Sequence, residues 1–337
     1  MYNDIVKNAL VLSISQLCPV NCDFCCVYPP STDRLSVDEC IKWICLAKKN
    51  NLFQLVGFTG GEPFYFYDDI VNIMNRVFSL QLKYSIATSA YWVDSYKNTF
   101  TRIKDLKDLG LDRINISCDP GHQCKVPIKN VQMLANISDV LGLKVHIVGT
   151  FEDVSMNLEM YLQKNNIEFD RTINLITKYI APFGKAKNIE ASMGKYGFNL
   201  NFNEMFCHSE YGFDILVWPN GDVYPCCSTA NIDSSLIMGN IRKDTFDEVV
   251  RKTLGNVFFR VIKRNGFQEL IDICEKYNCS ITPFLPKKSD ISGPCGLCLK
   301  LMNNSASREL IEKAISYYEI DLLYEIVDTY IDENEWL

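Results

Sequence analysis

The sequence predicts an α/β chain: a partial (β/α)6, TIM-like barrel followed by a smaller C-terminal domain. Three observations carry that prediction. From residue 9 to about 185, apolar runs of strand length alternate with stretches of helical period. The alternation gives six strand–helix units, too few for the eight of a closed barrel. Around residues 186–206 the periodicity fades, and hairpin and helical patterns without further βα units follow. The expected division is a barrel core over 1–190, a second domain over 200–305 and C-terminal helices over 306–337.

The strand-like segments are, in order, ALVLSIS, FQLVGFTGG, KYSIATS, DRINISCD, KVHIVGTF and TINLITKYI. Helical patterns such as VDECIKWICLAKKN, DIVNIMNRVFSL and IKNVQMLANISDVL lie between them, as a parallel sheet requires. In such barrels the loops at the C-terminal strand ends carry the chemistry. Beyond the boundary, FDILVWPNGDVYPCC reads as a hairpin, and FDEVVRKTLGNVFFRVIKRNGFQELIDICEKY reads as helical. A cysteine loop and the helical SASRELIEKAISYYEIDLLYEIVDTYI close the chain.

With 47% hydrophobic and 22% charged residues, the chain can bury a core without disulfide or membrane support. A net charge of −7 argues against a nucleic-acid footprint. No apolar run suggests a membrane span, and the N-terminus lacks a basic leader and cleavage site, so cytoplasmic residence is expected. Fifteen cysteines without a secretory signal then point to metal ligation rather than a disulfide framework.

Cys18, Cys22 and Cys25 are spaced C-x3-C-x2-C in the run LCPVNCDFCCVYPP, directly after the first strand. Three thiolates hold three irons of a [4Fe–4S] cube and leave the fourth without a protein ligand. Ferredoxin runs supply four cysteines, and zinc knuckles supply C-x2-C pairs. With Phe24 before the third cysteine, the loop resembles that of the radical S-adenosylmethionine (SAM) superfamily. The resemblance implies that the open iron chelates SAM, which one electron cleaves to a 5′-deoxyadenosyl radical. Gly60, Gly61, Glu62 and Pro63 follow the second strand and resemble the family's motif for the SAM amino group. Thr88 ends the third strand where relatives carry T-N-G, with Ser89 and Ala90 replacing the last two. Ser117 ends the fourth strand, near the SAM ribose or carboxylate by resemblance. Asp119 and His122 follow in an S-x-D-x-x-H run that reads either as substrate-side or, for His122, as a local loop contact. The segment from Pro182 to Ala186 resembles the P-x-G-x-A that closes such barrels.

Cys207, Gly221 and Cys226 form C-x13-G-x4-C, which resembles the opening of SPASM/Twitch auxiliary-cluster domains. With Cys295 and Cys298, the count suits one auxiliary [4Fe–4S] cluster; a zinc site with the same ligands is the alternative. Cys274 and Cys279 are left over. Cys227 adjoins Cys226, and neighbours in an extended segment face opposite ways, so its thiol is expected to point away from the cluster. A buried apolar cysteine or a substitute ligand are the other readings of Cys227. The segments FDILVWPNGDVYPCCS, KRNGFQELIDI and PCGLCLKLMNNSA resemble radical SAM peptide epimerases, which install D-residues in ribosomally made peptides. That resemblance implies Cα hydrogen abstraction by the adenosyl radical and hydrogen return from Cys227, with Asp214 as a further site residue. It implies a precursor peptide and a flavodoxin- or ferredoxin-type reductant as partners. A maturase that cross-links peptides through thioether or C–C bonds shares every motif except a required Cys227.

Overall fold

The computed structural model describes residues 8–27, 31–153, 155–169, 172–180, 184–189, 201–207, 213–226, 235–286 and 293–334. Six strands run parallel: β1 (Asn8–Ser15), β2 (Phe53–Gly60), β3 (Tyr84–Thr88), β4 (Leu111–Ser117), β5 (Lys144–Phe151) and β6 (Asn174–Tyr179). Each coincides within about two residues with a predicted segment. Both faces of β1 are buried, as a parallel sheet covered by helices demands.

The crossover helices show why local sequence folds this way. Helix α1 (Val37–Asn50) starts at Ser36, whose hydroxyl accepts from Glu39 N while the Glu39 carboxylate accepts from Ser36 N. It stops at Asn51, which takes the left-handed conformation at φ 54°. Cys40, Trp43, Ile44 and Ala47 recur at helical spacing and are its buried face. Helices α2 (Tyr67–Arg76), α3 (Tyr96–Asp108), the single turn α4 (Pro120–Gln123), α5 (Ile128–Val140) and α6 (Leu158–Lys164) complete the barrel half.

The second part of the chain adds to the same sheet. Its strand order is β6-β5-β4-β3-β2-β1-β7-β8-β9, with β7 (Asp214–Val217), β8 (Asp222–Tyr224) and β9 (Gly239–Asn240). β7 lies parallel to β1, pairing Ala9 with Asp214 and Leu12 with Val217. The predicted hairpin is present: β7 and β8 are antiparallel, and Gly221, at φ 89°, closes the turn by donating to the Trp218 carbonyl at 2.8 Å.

The predicted helical stretch becomes three helices, α7 (Phe246–Leu254), α8 (Val257–Arg264) and α9 (Gly266–Lys276). Breaks fall at Gly255 and at Gly266, whose φ of 88° no helix accommodates. Helices α10 (Pro294–Asn303) and α11 (Ser305–Asn334) follow. The halves share core: Trp43 meets Phe246 edge-to-face at 4.9 Å, and Phe53 meets it at 5.9 Å. No described helix is long and apolar enough to cross a membrane.

Candidate active site

The loop after β1 is held from three sides, each by a predicted motif. The first clamp is the glycine pair. Gly61 N donates to Ser15 O at 2.7 Å and Glu62 N to Leu17 O at 2.9 Å, so the loop after β2 continues the ladder onto the cysteine loop. A side chain is excluded there: a Cβ on Gly60 would stand 2.3 Å from Ser15 O, and one on Gly61 2.1 Å from Leu17 O. Gly60 also sits at φ 129°.

The second clamp comes from β4. Asp119 is fully buried, and its carboxylate accepts from His122 N, from His122 Nδ1 at 2.9 Å and from Thr150 N. Burial works against a charged His122, but its bonds to Asp119 and to Cys22 raise its pKa to about 10. His122 thus joins Asp119 to a cysteine of the loop. Phe24 meets the His122 ring edge-on at 5.6 Å and lies where a Cβ of Gly121 would be 2.0 Å away.

The third clamp is the described part of the P-x-G-x-A segment. Gly184, at φ 58°, approaches Cys25 and Cys26 so closely that a Cβ would stand 2.4 Å from Cys25 O. Lys185 N donates to that same oxygen at 2.9 Å, and its ammonium reaches Asn21. Ala186 is buried against Phe24 and Ile180. Pro182 and Phe183 lie outside the described residues.

Among the three cysteines, Cys18 lies in the field of Glu62 and of Cys22. Burial pushes the Cys18 thiol up to about 11. Cys25 instead bonds Cys26 and donates to Val27 O at 3.7 Å; the Cys26 contact, then burial, raise its thiol strongly. Thiols held this far above neutrality become thiolates only with a compensating cation, which iron supplies.

Glu62 is 3% exposed, and burial holds its pKa above the ordinary carboxylate value. Four donors work against that: Phe64 N at 3.2 Å, Thr88 Oγ1 at 2.8 Å, Ser89 N at 2.9 Å and Ser89 Oγ at 2.5 Å. Trp92 Nε1 donates to Thr88 Oγ1 at 3.0 Å and fixes that hydroxyl. The loop after β3 therefore keeps its polar contacts: Ser89 makes two of them, a role that departure from T-N-G hides. Ala90, in place of glycine, adopts φ 63°. Pro63 opens a short 3-10 turn, and Ser117 is half-buried at the end of β4.

A second set of thiols gathers at the other end of the sheet. Cys298 is half-buried, and burial first, then Cys226, Cys207 and Cys295, raise its thiol well above the usual value. These are the four predicted auxiliary ligands. Cys295 and Cys298, three apart on α10, share one helix face. Cys207 is pinned by its amide, which donates to Ile262 O at 2.8 Å. Among the described residues no three His, Cys, Asp or Glu side chains stand close enough to share a single metal ion.

A cation belongs to this set, and motif reading missed it. Lys263 Nζ is sealed from water, satisfies no hydrogen bond of normal geometry among the described residues and faces Cys207 and the Phe213 ring, 5.2 Å away. A buried ammonium needs a counter-charge. The buried Asp214 near Cys207 supplies one carboxylate, and an anionic thiolate-ligated iron–sulfur cluster would add to it. The donor set and this orphaned cation fit such a cluster.

Asp214 is buried at the start of β7 and raises the Cys207 thiol by its charge, so it sits with the auxiliary cysteines. Cys227 lies outside the described residues. Cys274 and Cys279 are fully buried in the core, where Cys279 N bonds Cys274 O at 2.8 Å.

Comparison with known proteins agrees with this geometry. Residues 12–130 match the radical SAM superfamily, and residues 207–280 match SPASM, an iron–sulfur cluster-binding domain. The SPASM match ends before Cys295 and Cys298, the pair that the fold brings to Cys207 and Cys226. The chain is 24% identical, over 99% of both lengths, to YydG of Bacillus subtilis (strain 168), provisionally named a peptide biosynthesis protein. It is 26% identical to GTP 3′,8-cyclase of Campylobacter jejuni (strain RM1221) over 54% of each chain. Native anSMEcpe with bound AdoMet and Cp18Cys peptide shares the fold: TM-score 0.51 at 15% identity, covering 95% of this chain and 99% of that one. The cofactors are SAM and two [4Fe–4S] clusters.

Proposed function

We propose that this chain, a radical SAM domain followed by a SPASM-type iron–sulfur domain, inverts L-residues to D-residues in a ribosomally made peptide. One observation carries the reading. The two thiol sets stand at opposite ends of one strand pair. Asp214, beside the auxiliary cysteines, is level with Ala9 at the start of β1, and the loop of Cys18, Cys22 and Cys25 begins after Ser15. Six residues of extended strand separate the two levels, roughly 20 Å. Inversion requires that hydrogen leave one face of Cα and return to the other, and two separate thiol sets are consistent with two separate sources of that chemistry. The resemblance to YydG over its whole length supports a peptide as substrate.

In this reading Cys18, Cys22 and Cys25 hold the SAM-binding cluster, and Cys207, Cys226, Cys295 and Cys298 hold the auxiliary one. SAM, when bound and given one electron by the external reductant, would release methionine and supply a 5′-deoxyadenosyl radical able to take the Cα hydrogen of an L-residue as 5′-deoxyadenosine. The chain's residues determine the rest. Gly60, Gly61 and Pro63 let the backbone approach the SAM amino group closely. Glu62 offers that group its charge, and the Ser89 hydroxyl, a rotor, turns to admit it while Trp92 keeps the Thr88 hydroxyl in place. Ser117 and Phe24 border the same side, and Asp119 acts there through His122. From the other side Cys227 gives its S–H hydrogen to the Cα radical, and a D-residue results. One electron from a flavodoxin- or ferredoxin-type donor and one proton then restore the thiol. Asp214 lies on this donor side.

The test is a reaction with the precursor peptide in D2O under reducing conditions. One solvent deuterium is expected at each inverted Cα, with no other change in peptide mass. Cys227→Ala is expected to keep releasing 5′-deoxyadenosine while D-product falls at least a hundredfold. A product two hydrogens lighter means cross-linking, and normal inversion by Cys227→Ala removes the donor; either overturns the reading.

A further inference from the structure

Lys263 is unlike the other lysines described. It sits in the last turn of α8, one residue after Ile262, whose carbonyl holds the Cys207 amide at 2.8 Å. Gly266 lets the segment before Cys207 lie against this helix end: at φ 88°, it has Met205 O only 3.0 Å from where a Cβ would be. Phe267 N donates to Met205 O at 2.9 Å and completes the attachment. The fold thus fixes Cys207 and Lys263 relative to one another through the backbone. Two of the four cysteines, Cys207 and Cys298, lie within its field. Its Nζ is excluded from water and rests on the Phe213 ring at 5.2 Å.

That placement is costly for the thiol form of the site. An ammonium stripped of water, with a ring and thiols for neighbours, keeps little of its hydration energy. Asp214, close to the same Cys207, gives it one negative neighbour, and the finished site would add more. A cubane held by four thiolates is anionic, and one-electron reduction adds a further negative charge. A fixed cation therefore favours the reduced form, since net charge sets cluster potentials. Burial of the Lys263 Nζ atom strengthens the effect, because little solvent screens its charge.

We propose that Lys263 is a positioning residue of the auxiliary cluster that raises its reduction potential through its charge. This rests on Cys207, Cys226, Cys295 and Cys298 being the auxiliary ligands. It touches neither SAM nor the peptide. Its effect on the reaction is to set how readily the auxiliary cluster accepts an electron beside the donor side of the site.

The experiment isolates that cluster. The parent is the chain with Cys18, Cys22 and Cys25 all changed to Ala, reconstituted anaerobically with iron and sulfide. Iron content and an EPR-monitored potentiometric titration are compared for the parent, Lys263→Met, Lys263→Gln and Lys263→Arg. Equal iron is expected throughout. Met and Gln are expected to be at least tenfold harder to reduce at a given poise, a fall of about 59 mV for one electron. Arg is expected to keep the parent potential. Gln separates charge from bulk and serves if Met hinders assembly. Unchanged potentials in Met and Gln at full iron overturn the role of Lys263 and leave the ligand assignment standing. A parent that binds no iron overturns the ligand assignment itself.

Discussion

A single methyl group decides whether the loop after β2 can reach the loop after β1. With Leu17 O 2.1 Å from the Cβ position of residue 61, Gly61→Ala must separate two backbones that exchange hydrogen bonds at 2.7 and 2.9 Å. The expected cost is about 1–3 kcal/mol, as for other overpacked sites. It is read as a lower Tm together with loss of the SAM-dependent change in the cluster's EPR spectrum; a wild-type Tm and spectrum refute the clamp. Half of this was legible. A Gly-Gly-Glu after a strand identifies a loop that needs bare backbone. That the bare backbone serves the cysteine loop as well as a ligand depends on the β1–β2 register, which no local pattern encodes. His122 is similar. Its spacing from Asp119 is readable, but its bond to Cys22 joins residues one hundred apart in sequence. Lys263 left no signal, because a lysine in the last turn of a helix is ordinary by every local rule.

At the scale of elements, the α1 N-terminus and the turn after β9 are tied by one arginine. Arg242 Nε donates to Glu39 Oε1 at 2.7 Å, and its other nitrogens donate to the carbonyls of Asn220, Arg34 and Pro219. Burial opposes the Glu39 charge, but the Arg242 and Ser36 bonds outweigh it and hold the carboxyl below its ordinary 4.5. A carboxylate lowered in the folded state adds stability above its unfolded pKa and loses it as pH falls through the folded value. Arg242→Ala should therefore cost about 1–2 kcal/mol at neutral pH, modest because the pair is partly exposed. The deficit should shrink as pH drops below about 4.5. Urea titrations of both proteins at pH 7 and pH 4 check it; a deficit independent of pH removes Glu39 from the account. Element type was legible where apolar spacing was strong, as in α1. Helix α3 was not singled out, since YKNTFTRIKDLKD buries only Thr99, Ile103 and Leu106 among charged neighbours. The continuous helical reading of 246–277 broke where glycine conformations, set by packing against Met205 and Phe206, took precedence over period.

For the whole molecule, the boundary that composition suggests is not a gap in the sheet. β1 has β2 on one edge and β7 on the other, and β7 comes from beyond the stretch where periodicity fades. Fading periodicity reports a change of pattern and carries no information on strand pairing across it. A chain ending near residue 200 would expose the β1 edge together with Trp43 and Phe53, which Phe246 covers. It should be recovered aggregated, whereas the full chain elutes as a discrete species in size-exclusion chromatography; a monodisperse fragment refutes this. The same pairing sets an order of events during synthesis. Asn8 leaves the ribosome more than 200 residues before Asp214, its neighbour's partner on β7. The loop of Cys18, Cys22 and Cys25 is thus translated about 200 residues ahead of the strand that closes the sheet beside it, an interval in which the nascent chain presents that loop on an open edge.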